Sequence, residues 1–543
     1  MNRQKSVAQV LAEAWKRHGV KHVFGVPGGG SSLDLIRACH EIGIEFVLTR
    51  TEAAAAIMAA TTADLTGSIG VAITTQGPGT ASAANGVAYA SVDRSPVFLI
   101  SDGWSGKQAA FDTHQRFDQK ALMAPITKGH SRLDGEGIPG EIEDLITLAR
   151  SVPQGPIYIE LTGEAARRQV DGGYVATAPR TPSKPDVKSI AAAGQMIAAA
   201  RKPVVIVGLE ARAPGIARLV AGLVRDIGCP AFTTYKGKGI LPDDMPNLVG
   251  LFTGAAAERD CVAAADLIVL IGFDPVELIG RPWPYQAPVL DIGAFQHPVH
   301  YTKPALGIYY PLASTLPALR GGLKSSTWTA EQIKQFRDAM RKRLVYPGEN
   351  PAADAGLTPD AVVSAAAQLA NGGANPRVAV DAGAHMISAM ALWPAFAPGD
   401  VQISNGLATM AYALPTAIAT ALTDPSRPVI AFTGDGGLFM CIGDLSTAAQ
   451  TKAKICVVVF NDGALSMISL KQRARQLPNE GMEWPKPNFA AVAVGMGVKG
   501  FRADTLAAYT SALQAALKHD GPSLIDVDID ASGYLAQVTS LRG

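Results

Sequence analysis

Two segments decide the fold: Pro428-Val-Ile-Ala-Phe-Thr-Gly-Asp-Gly-Gly-Leu-Phe439 and Ile455-Cys-Val-Val-Val-Phe-Asn-Asp-Gly463. Each begins with an apolar run typical of a buried strand, and residues 444–452 between them are typical of a helix. A strand–helix–strand unit of this length predicts parallel strands joined by a right-handed crossover. The carboxyl ends of the strands then lie side by side, where open α/β sheets bind ligands.

This geometry predicts that the Asp435 carboxylate and the Asn461 amide oxygen, 26 positions apart, converge on one point. With a backbone carbonyl, at Gly463, they form an oxygen ligand set that suits magnesium or calcium, the remaining ligands being phosphate oxygens and water. Gly436 and Gly437 allow the backbone to approach a phosphate closely. A Gly-Asp-Gly turn alone is common in loops, so the spacing to Asn461 carries the prediction.

From these residues the chain resembles the thiamine-diphosphate (ThDP) enzymes, and among them the acetolactate synthase large subunits, which share Gly-Asp-Gly followed at this spacing by Asn. Further segments match the family in the expected order, and the resemblance covers nearly the whole chain. The matching segments are residues 23–29, 50–54, 74–79, 114–115, 125–128 and 406–415. The resemblance implies an α/β fold of three doubly wound parallel-sheet domains.

Size and composition agree with this interpretation. A chain of 543 residues exceeds a single core and suggests about three domains. The net charge of +1 gives no reason to expect nucleic acid or an anionic membrane as a partner, and no apolar run is long enough to span a bilayer. The five cysteines lack metal-site spacing, which favours buried free thiols in a reducing cytoplasm.

Two Pro- and Gly-rich stretches, residues 171–185 and 346–351, read as breaks between domains. They divide the chain into three predicted units. With the roles that the resemblance implies, these are a ThDP pyrimidine-binding domain over 1–170, a central domain over 186–345 and a ThDP pyrophosphate-binding domain over 357–543.

The resemblance implies that Glu52 is the catalytic glutamate, hydrogen-bonded to ring nitrogen N1′ of the ThDP pyrimidine. Considered alone, Glu52 is better explained as a carboxylate at a helix start that interacts with the helix dipole, and it is Gly77-Pro-Gly79 downstream together with the metal motif that favours the catalytic role. His114 and Gln115 occupy the positions where many members carry Phe-Gln, which implies a place near the substrate. A surface or core histidine is the alternative for His114.

The resemblance also implies the contacts that hold the cofactor. Met410 matches the bulky residue that props ThDP in its bent form, although core filling is the ordinary role of a methionine. The backbone groups of Ala408 and Met410 would hold the pyrimidine edge. His385 matches a diphosphate contact, and Ala384 stands where many relatives have Gln. The other implied ThDP contacts are Gly28, Gly29, Pro78, Gly79, Gly434, Ala464 and Leu465.

Substrate contacts are implied for Ser31, Met467 and Leu470. Biosynthetic acetolactate synthases carry Trp near the position of Leu470, which favours larger 2-oxo acid acceptors. They also carry an Arg-Phe-Asp-Asp-Arg stretch tied to flavin, where this chain has residues 272–278, Gly-Phe-Asp-Pro-Val-Glu-Leu. These departures are similar to the flavin-free catabolic type, so FAD is not expected.

The implied function is a ThDP- and Mg²⁺-dependent lyase or transferase that forms or cleaves a C–C bond of a 2-oxo acid, as an acetolactate synthase-like decarboxylase and carboligase. Alternatives are a lyase of the benzaldehyde lyase, benzoylformate decarboxylase or diketone hydrolase type, a flavin-dependent pyruvate oxidase type, and a regulatory protein with a dead site. The family assembles as homodimers or homotetramers whose active sites lie between chains.

Overall fold

A computed structural model describes residues 4–173, 183–321, 323–347, 357–370 and 375–542. Parts of both predicted domain breaks, residues 174–182 and 348–351, lie outside the described residues. The described chain forms three six-stranded sheets, and every strand pair within them is parallel. The prediction of three parallel-sheet α/β domains is confirmed.

The first domain alternates strands with helices. Its strands are β1 (Gln4–Ser6), β2 (His22–Val26), β3 (Glu45–Leu48), β4 (Gly70–Thr74), β5 (Val97–Gly103), β6 (Gly129–Ser131), β7 (Ile157–Thr162) and β8 (Gln169–Asp171). Its helices are α1 (Val7–Arg17), α2 (Ser31–Glu41), α3 (Glu52–Thr66), α4 (Pro78–Val92), α5 (Gly106–Ala109), α6 (Gln119–Met123), α7 (Ile138–Arg150) and α8 (Gly163–Arg167), with a 3₁₀ turn at Ala124–Ile126.

The central domain has the same alternation. Its strands are β9 (Pro203–Val207), β10 (Ala231–Thr233), β11 (Leu248–Leu251), β12 (Leu267–Ile271), β13 (Val289–Gly293) and β14 (Leu306–Tyr309). Its helices are α9 (Val187–Ala199), α10 (Pro214–Ile227), α11 (Arg259–Ala263), α12 (Leu312–Leu319) and α13 (Ala330–Leu344), with 3₁₀ turns at Leu209–Ala211 and Pro275–Glu277.

The third domain contains residues 428–439 and 455–463, the two segments with the predicted metal ligands. Its strands are β15 (Arg377–Val380), β16 (Val401–Ile403), β17 (Val429–Gly434), β18 (Ile455–Asn461), β19 (Lys499–Ala503) and β20 (Ser523–Asp528). Its helices are α14 (Pro359–Leu369), α15 (Met386–Leu392), α16 (Ala413–Thr423), α17 (Asp435–Cys441), α18 (Asp444–Thr451), α19 (Ser466–Ala474), α20 (Phe489–Gly495), α21 (Leu506–Lys518) and α22 (Tyr534–Arg542).

Strand order relates the first domain to the third. The first sheet runs β3-β2-β4-β5-β7-β6 and the third runs β16-β15-β17-β18-β20-β19, which is one topology used twice. The central sheet runs β11-β10-β9-β12-β13-β14, the order of dinucleotide-binding folds. A short antiparallel pair of β1 and β8 joins the two ends of the first domain.

The first and third domains pack against each other within one chain. Helices α3 and α4 contribute to a buried core that also contains α16 and the inner strands of the third sheet. Polar contacts cross the same interface: the Tyr89 hydroxyl donates to Tyr412 at 3.2 Å, and the Arg50 amide donates to Asp444 at 3.0 Å. The site-bearing strands of the third domain are therefore supported on one side by helices of the first.

Two properties of the described chain bear on its surroundings. None of its helices is both long enough and apolar enough to cross a membrane. All five cysteines are buried free thiols, as expected from their spacing. Burial alone raises the pKa of Cys39 and Cys456 to about 12, so these thiols are unreactive packing residues.

The buried carboxyl group of Glu277 is hydrogen-bonded to the turn that follows β9, the first strand of the central domain. The Glu277 side chain accepts hydrogen bonds from the Leu209 amide at 2.9 Å and from the Thr234 hydroxyl at 2.5 Å. Burial raises the pKa of Glu277 to about 8. In the unfolded chain the same group ionises near its ordinary value of 4.5. Folding therefore takes up a proton at neutral pH.

We expect Glu277→Gln to stabilise the protein, and more so at pH 8 than at pH 5. Because the folded pKa is raised, the wild type loses stability as pH increases from about 4.5 to about 8, whereas Gln stays neutral throughout. Thermal unfolding should show an increase of several degrees at pH 8 and little change at pH 5. Glu331→Gln, at an exposed position in the first turn of α13, is the matched control. An equal shift at both pH values would contradict the assignment of a neutral Glu277.

Candidate functional site

The site begins with the register of two strands. Strands β17 and β18 pair in parallel so that Gly434 lies opposite Phe460 at their carboxyl ends. Asp435 then starts helix α17, while Asn461 ends its strand. The Gly463 amide donates to the Asp435 carboxylate at 2.7 Å, so the two segments meet as the sequence predicts.

The Asn461 amide has one defined orientation. Its Nδ2 donates to the Pro487 carbonyl at 3.1 Å and to the Asp526 carboxylate at 2.8 Å. Its Oδ1 is buried and has no hydrogen-bond partner among the described residues. A buried acceptor without a partner is costly, and a cation would satisfy it. This unpaired oxygen fits the predicted metal ligand.

The Asp435 carboxylate is buried in the same place. It also accepts a hydrogen bond from the Gly436 amide at 2.8 Å. Burial, and then the nearby negative charge of Asp462, raise the pKa of Asp435 to about 7. A bound divalent cation would remove this penalty, because it stabilises the ionised form.

The ligand set differs from an ordinary carboxylate or histidine cluster. The described part of the chain has no group of three or more His, Cys, Asp or Glu side chains placed to hold a metal. The predicted set needs only one carboxylate, one amide oxygen and the Gly463 carbonyl. That carbonyl already accepts a hydrogen bond from the Trp484 amide at 2.9 Å, which uses one of its two lone pairs.

His385 lies beside strands β17 and β18. Its ring stacks on Phe460 with centroids 5.0 Å apart and an interplanar angle of 23°. A Cβ atom added to Gly434 would lie 3.5 Å from its Nδ1, which places the ring at the end of β17. Burial lowers the pKa of His385 to about 4, so the ring is neutral. Its Nε2 is buried without a partner in the described chain, as a predicted phosphate contact would leave it.

Sequence reasoning missed the role of Asp381, which follows β15. Its carboxylate accepts from the Thr433 hydroxyl at 2.8 Å and from the Tyr412 amide at 3.2 Å. Gly437 is required next to it, because a Cβ atom there would lie 2.6 Å from the carboxylate. Asp381 thus joins three segments of the site. In the sequence, Asp381 stands out only as the first residue of the segment that contains His385.

Met410 and Leu465 meet over Gly436, and their predicted contacts with ThDP stay predictions. A Cβ atom on Gly436 would lie 3.6 Å from Met410 Cε and 2.9 Å from Leu465 Cδ2. Trp484 completes this ring of side chains at 3.3 Å and was not predicted from the sequence. Ala408 has a positive φ of 52°, which bends the backbone just before Met410.

The loop after Asn461 is tied down by its own neighbours. The Ala464 amide donates to Asp462 at 3.3 Å, and the Leu465 amide donates to the Met482 carbonyl at 2.8 Å. These amides are therefore engaged within the chain. Leu470 is buried on α19 and lines a cavity of about 350 Å³ that also contains Trp484. Met467 is partly buried on the same helix. Their predicted contact with substrate stays a prediction.

A second group of predicted residues lies in the first domain. Glu52 starts α3 and is partly buried. A Cβ atom on Gly79, in the first turn of α4 after Pro78, would lie 3.3 Å from the Glu52 carboxylate and 2.5 Å from the Thr74 hydroxyl. Close approach of Thr74 and of Thr75, whose Cγ2 would lie 2.7 Å from the same Cβ atom, therefore requires glycine at position 79.

The glycine turn before α2 is held by Asp102. The Ser31 and Ser32 hydroxyls lie 2.7 and 2.9 Å from its carboxylate, and a Cβ atom on Gly28 would lie only 2.2 Å from it. Gly29 faces open space, where an added Cβ atom would meet nothing within 4 Å. The buried Ser31 side chain is thus engaged in holding the turn, and its predicted contact with substrate stays untested.

His114 and Gln115 are exposed in the single chain. Gln115 has a positive φ of 58°, and its backbone lies against Gly77. The buried glutamine of this region is Gln119, whose Oε1 accepts from the Gly77 amide at 2.6 Å and from the Thr80 hydroxyl at 2.7 Å. Sequence reasoning missed Gln119, because a glutamine at a helix start gives no signal of burial.

Comparison with known proteins agrees with the site. Three thiamine pyrophosphate enzyme models match in order: the N-terminal TPP-binding domain over residues 5–122, the central domain over 190–319 and the C-terminal TPP-binding domain over 381–527. The chain therefore belongs to the thiamine pyrophosphate enzyme family, as the resemblance indicated.

Relatives within this family extend over almost the whole chain. An acetolactate synthase of Bacillus subtilis is 26% identical over 97% of this chain and 93% of its own. The catabolic acetolactate synthase of Raoultella terrigena is 28% identical over 96% and 95%, respectively. The acetolactate synthase isozyme 2 large subunit of Escherichia coli is 28% identical over 96% and 95%. The similarity to acetolactate synthases thus extends over nearly the whole length of both chains.

We expect Asp435→Ala and Asn461→Ala each to weaken ThDP binding in the presence of Mg²⁺ by on the order of 100-fold or more, because either change removes a ligand of the bridging cation. Calorimetric titration of ThDP measures the loss directly. Asp504→Ala, on an exposed turn of the same domain, is the control and should bind like wild type. Unchanged affinity in Asp435→Ala would show that the site is assigned wrongly.

Proposed function

We propose that the protein is a ThDP- and Mg²⁺-dependent enzyme that forms or cleaves a C–C bond of a 2-oxo acid, in the manner of an acetolactate synthase-like decarboxylase and carboligase. The observation that carries this proposal is the unpaired, buried Asn461 oxygen beside the buried Asp435 carboxylate. The two atoms suit a hard divalent cation, and neutral His385 adds a further unpaired polar atom for a phosphate.

The proposed roles of the chain follow from the two groups of residues. ThDP, when bound, supplies a nucleophilic carbon that adds to the carbonyl group of the substrate. Asp435, Asn461 and the Gly463 carbonyl would hold its diphosphate through Mg²⁺. Glu52 would hold or transfer a proton at the pyrimidine nitrogen, and its partly buried place at a helix start suits that task.

Two observations support the flavin-free form of this proposal. The sequence lacks the Arg-containing stretch of flavin-linked relatives at residues 272–278. In addition, the Leu209 amide that follows the first central strand donates to the Glu277 carboxyl group of the chain itself. In dinucleotide-binding folds the amides of this turn face the phosphates. We therefore propose that the central domain carries no FAD and that the oxidase alternative does not apply.

The residue at position 470 supports a proposal for the substrate. Leu470 stands where biosynthetic relatives carry Trp, and this supports the donor and acceptor of a catabolic acetolactate synthase. Pyruvate is the first candidate. We also propose a cytoplasmic location, supported by five cysteines that remain free thiols.

A substrate panel tests the reaction. With ThDP and Mg²⁺ added, pyruvate should be consumed with release of carbon dioxide and formation of a carboligation product, as measured by mass spectrometry. Benzoylformate, acyloins and 1,2-diketones are the comparison substrates. The Asp435→Ala protein is the blank, because its cation ligand is removed. Turnover of only an acyloin or a diketone would replace the synthase proposal by the lyase or hydrolase alternative.

We further propose that the active species is a homodimer or homotetramer in which the first domain of one chain faces the third domain of another. The predicted residues fall into two groups, one in each of these domains. Helix α17, which starts at Asp435, carries Phe439 and Met440 with 45% and 56% of their surfaces exposed. Large apolar side chains exposed beside a site support coverage by a second copy of the chain.

Complementation between chains tests this arrangement together with the role of Glu52. Glu52→Gln and Asp435→Ala should each lose nearly all activity alone. Mixed during co-expression, they should recover about a quarter of wild-type activity, because half of randomly formed dimers contain one intact site built from both chains. Sedimentation of the mixture checks the assembly. No recovery in a confirmed mixed dimer would mean that each site is built within one chain.

A further inference from the structure

The segment after α19 pairs with the metal-ligand loop. The Leu465 amide donates to the Met482 carbonyl at 2.8 Å, and the Trp484 amide donates to the Gly463 carbonyl at 2.9 Å. Ala464 and Glu483 form an antiparallel bridge between these two hydrogen bonds. Residues 482–484, here called the strap, are thus hydrogen-bonded to the loop that follows Asn461.

This pairing places the Trp484 ring across the site. Its Cη2 would lie 3.3 Å from a Cβ atom on Gly436, directly after Asp435. The ring also contacts Phe439 edge-on, with centroids 5.9 Å apart and an interplanar angle of 75°. Gly436 is therefore covered by an aromatic ring that comes from a separate segment, 48 positions later in the chain.

The indole N–H lies next to a predicted ligand of the cation. Trp484 Nε1 is buried without an acceptor at good hydrogen-bond geometry in the described chain. Burial raises the pKa of Asp435, and a hydrogen bond from the Trp484 side chain partly opposes that shift, so the indole lies beside the Asp435 carboxylate. Asn461 Oδ1 and His385 Nε2 are also buried and have no hydrogen-bond partner in the described chain.

We propose that Trp484 is a cofactor-retaining residue of this chain: its Nε1–H orients the Asp435 carboxylate, the predicted cation ligand, and its ring covers Gly436, where the diphosphate would lie. The proposal rests on the proposed ThDP function. It assigns Trp484 to binding and leaves the chemical step to other residues. Bound ThDP can leave only when the strap separates from the loop over residues 463–465.

Two substitutions separate the parts of this role. Trp484→Phe keeps an aromatic cover and removes the N–H donor, whereas Trp484→Leu removes both. A hydrogen bond to a charged acceptor corresponds to roughly tenfold or more in affinity, so Trp484→Phe should weaken ThDP binding by about tenfold and Trp484→Leu by more. The loss should appear as faster dissociation, since the strap opposes exit.

The measurements are the calorimetric dissociation constant of ThDP with Mg²⁺ and the rate at which bound ThDP is lost after dilution. In addition, the intrinsic fluorescence of wild type should change on addition of ThDP, and this change should be absent in Trp484→Phe. The matched control is Trp283→Phe in the central domain, because Trp283 is also partly buried with an unpaired Nε1. Thermal unfolding without ThDP confirms that each variant folds.

The outcomes distinguish this inference from the proposed function. Weaker binding and faster loss in both Trp484 variants, with Trp283→Phe unchanged, is the expected result. A wild type that binds ThDP tightly, beside folded Trp484→Phe and Trp484→Leu proteins with the same affinity and dissociation rate, would overturn the role of Trp484 alone. A folded wild type that binds no ThDP in the presence of Mg²⁺ would overturn the proposed function, and the inference with it.

Discussion

Parallel pairing of β17 with β18 is the constraint on which the site depends. Because Gly434 lies opposite Phe460, the next residue of each segment, Asp435 and Asn461, arrives at the same edge of the sheet. The hydrogen bond from the Gly463 amide to Asp435 then locks the two loops together. A shift by one residue would turn Asn461 to the other face of the sheet and separate the two oxygen atoms.

The remaining polar atoms are arranged around this pair. Asp526 fixes the Asn461 amide from the neighbouring strand, so its oxygen rather than its nitrogen faces the site. Asp381 joins the end of β15 to the end of β17. Burial keeps His385 neutral. Each of these residues orients another group, and together they leave unpaired the buried atoms that a cation and a diphosphate would satisfy.

The sequence predicts the part of the site that is built from neighbouring segments of the chain. Strand–helix–strand spacing predicts that Asp435 and Asn461 converge, and the amide of Gly463, two positions after Asn461, donates to the Asp435 carboxylate. Asp526 and Trp484 could not be predicted in the same way, because Asp526 is 65 positions from the amide it holds and the strap reaches the site through an irregular loop. For Ser31 the family resemblance implied a contact with substrate, whereas in the structure its hydroxyl donates a hydrogen bond to Asp102.

Metal-dependent binding of ThDP tests the central claim most directly. Calorimetric titration of ThDP into the wild-type protein is carried out once in chelator and once with Mg²⁺. We predict one binding event per chain with Mg²⁺ and a loss of affinity of on the order of 100-fold or more in chelator, because Asp435 and Asn461 hold the diphosphate through the cation. Equal binding in both conditions, or no binding in either, would contradict the account.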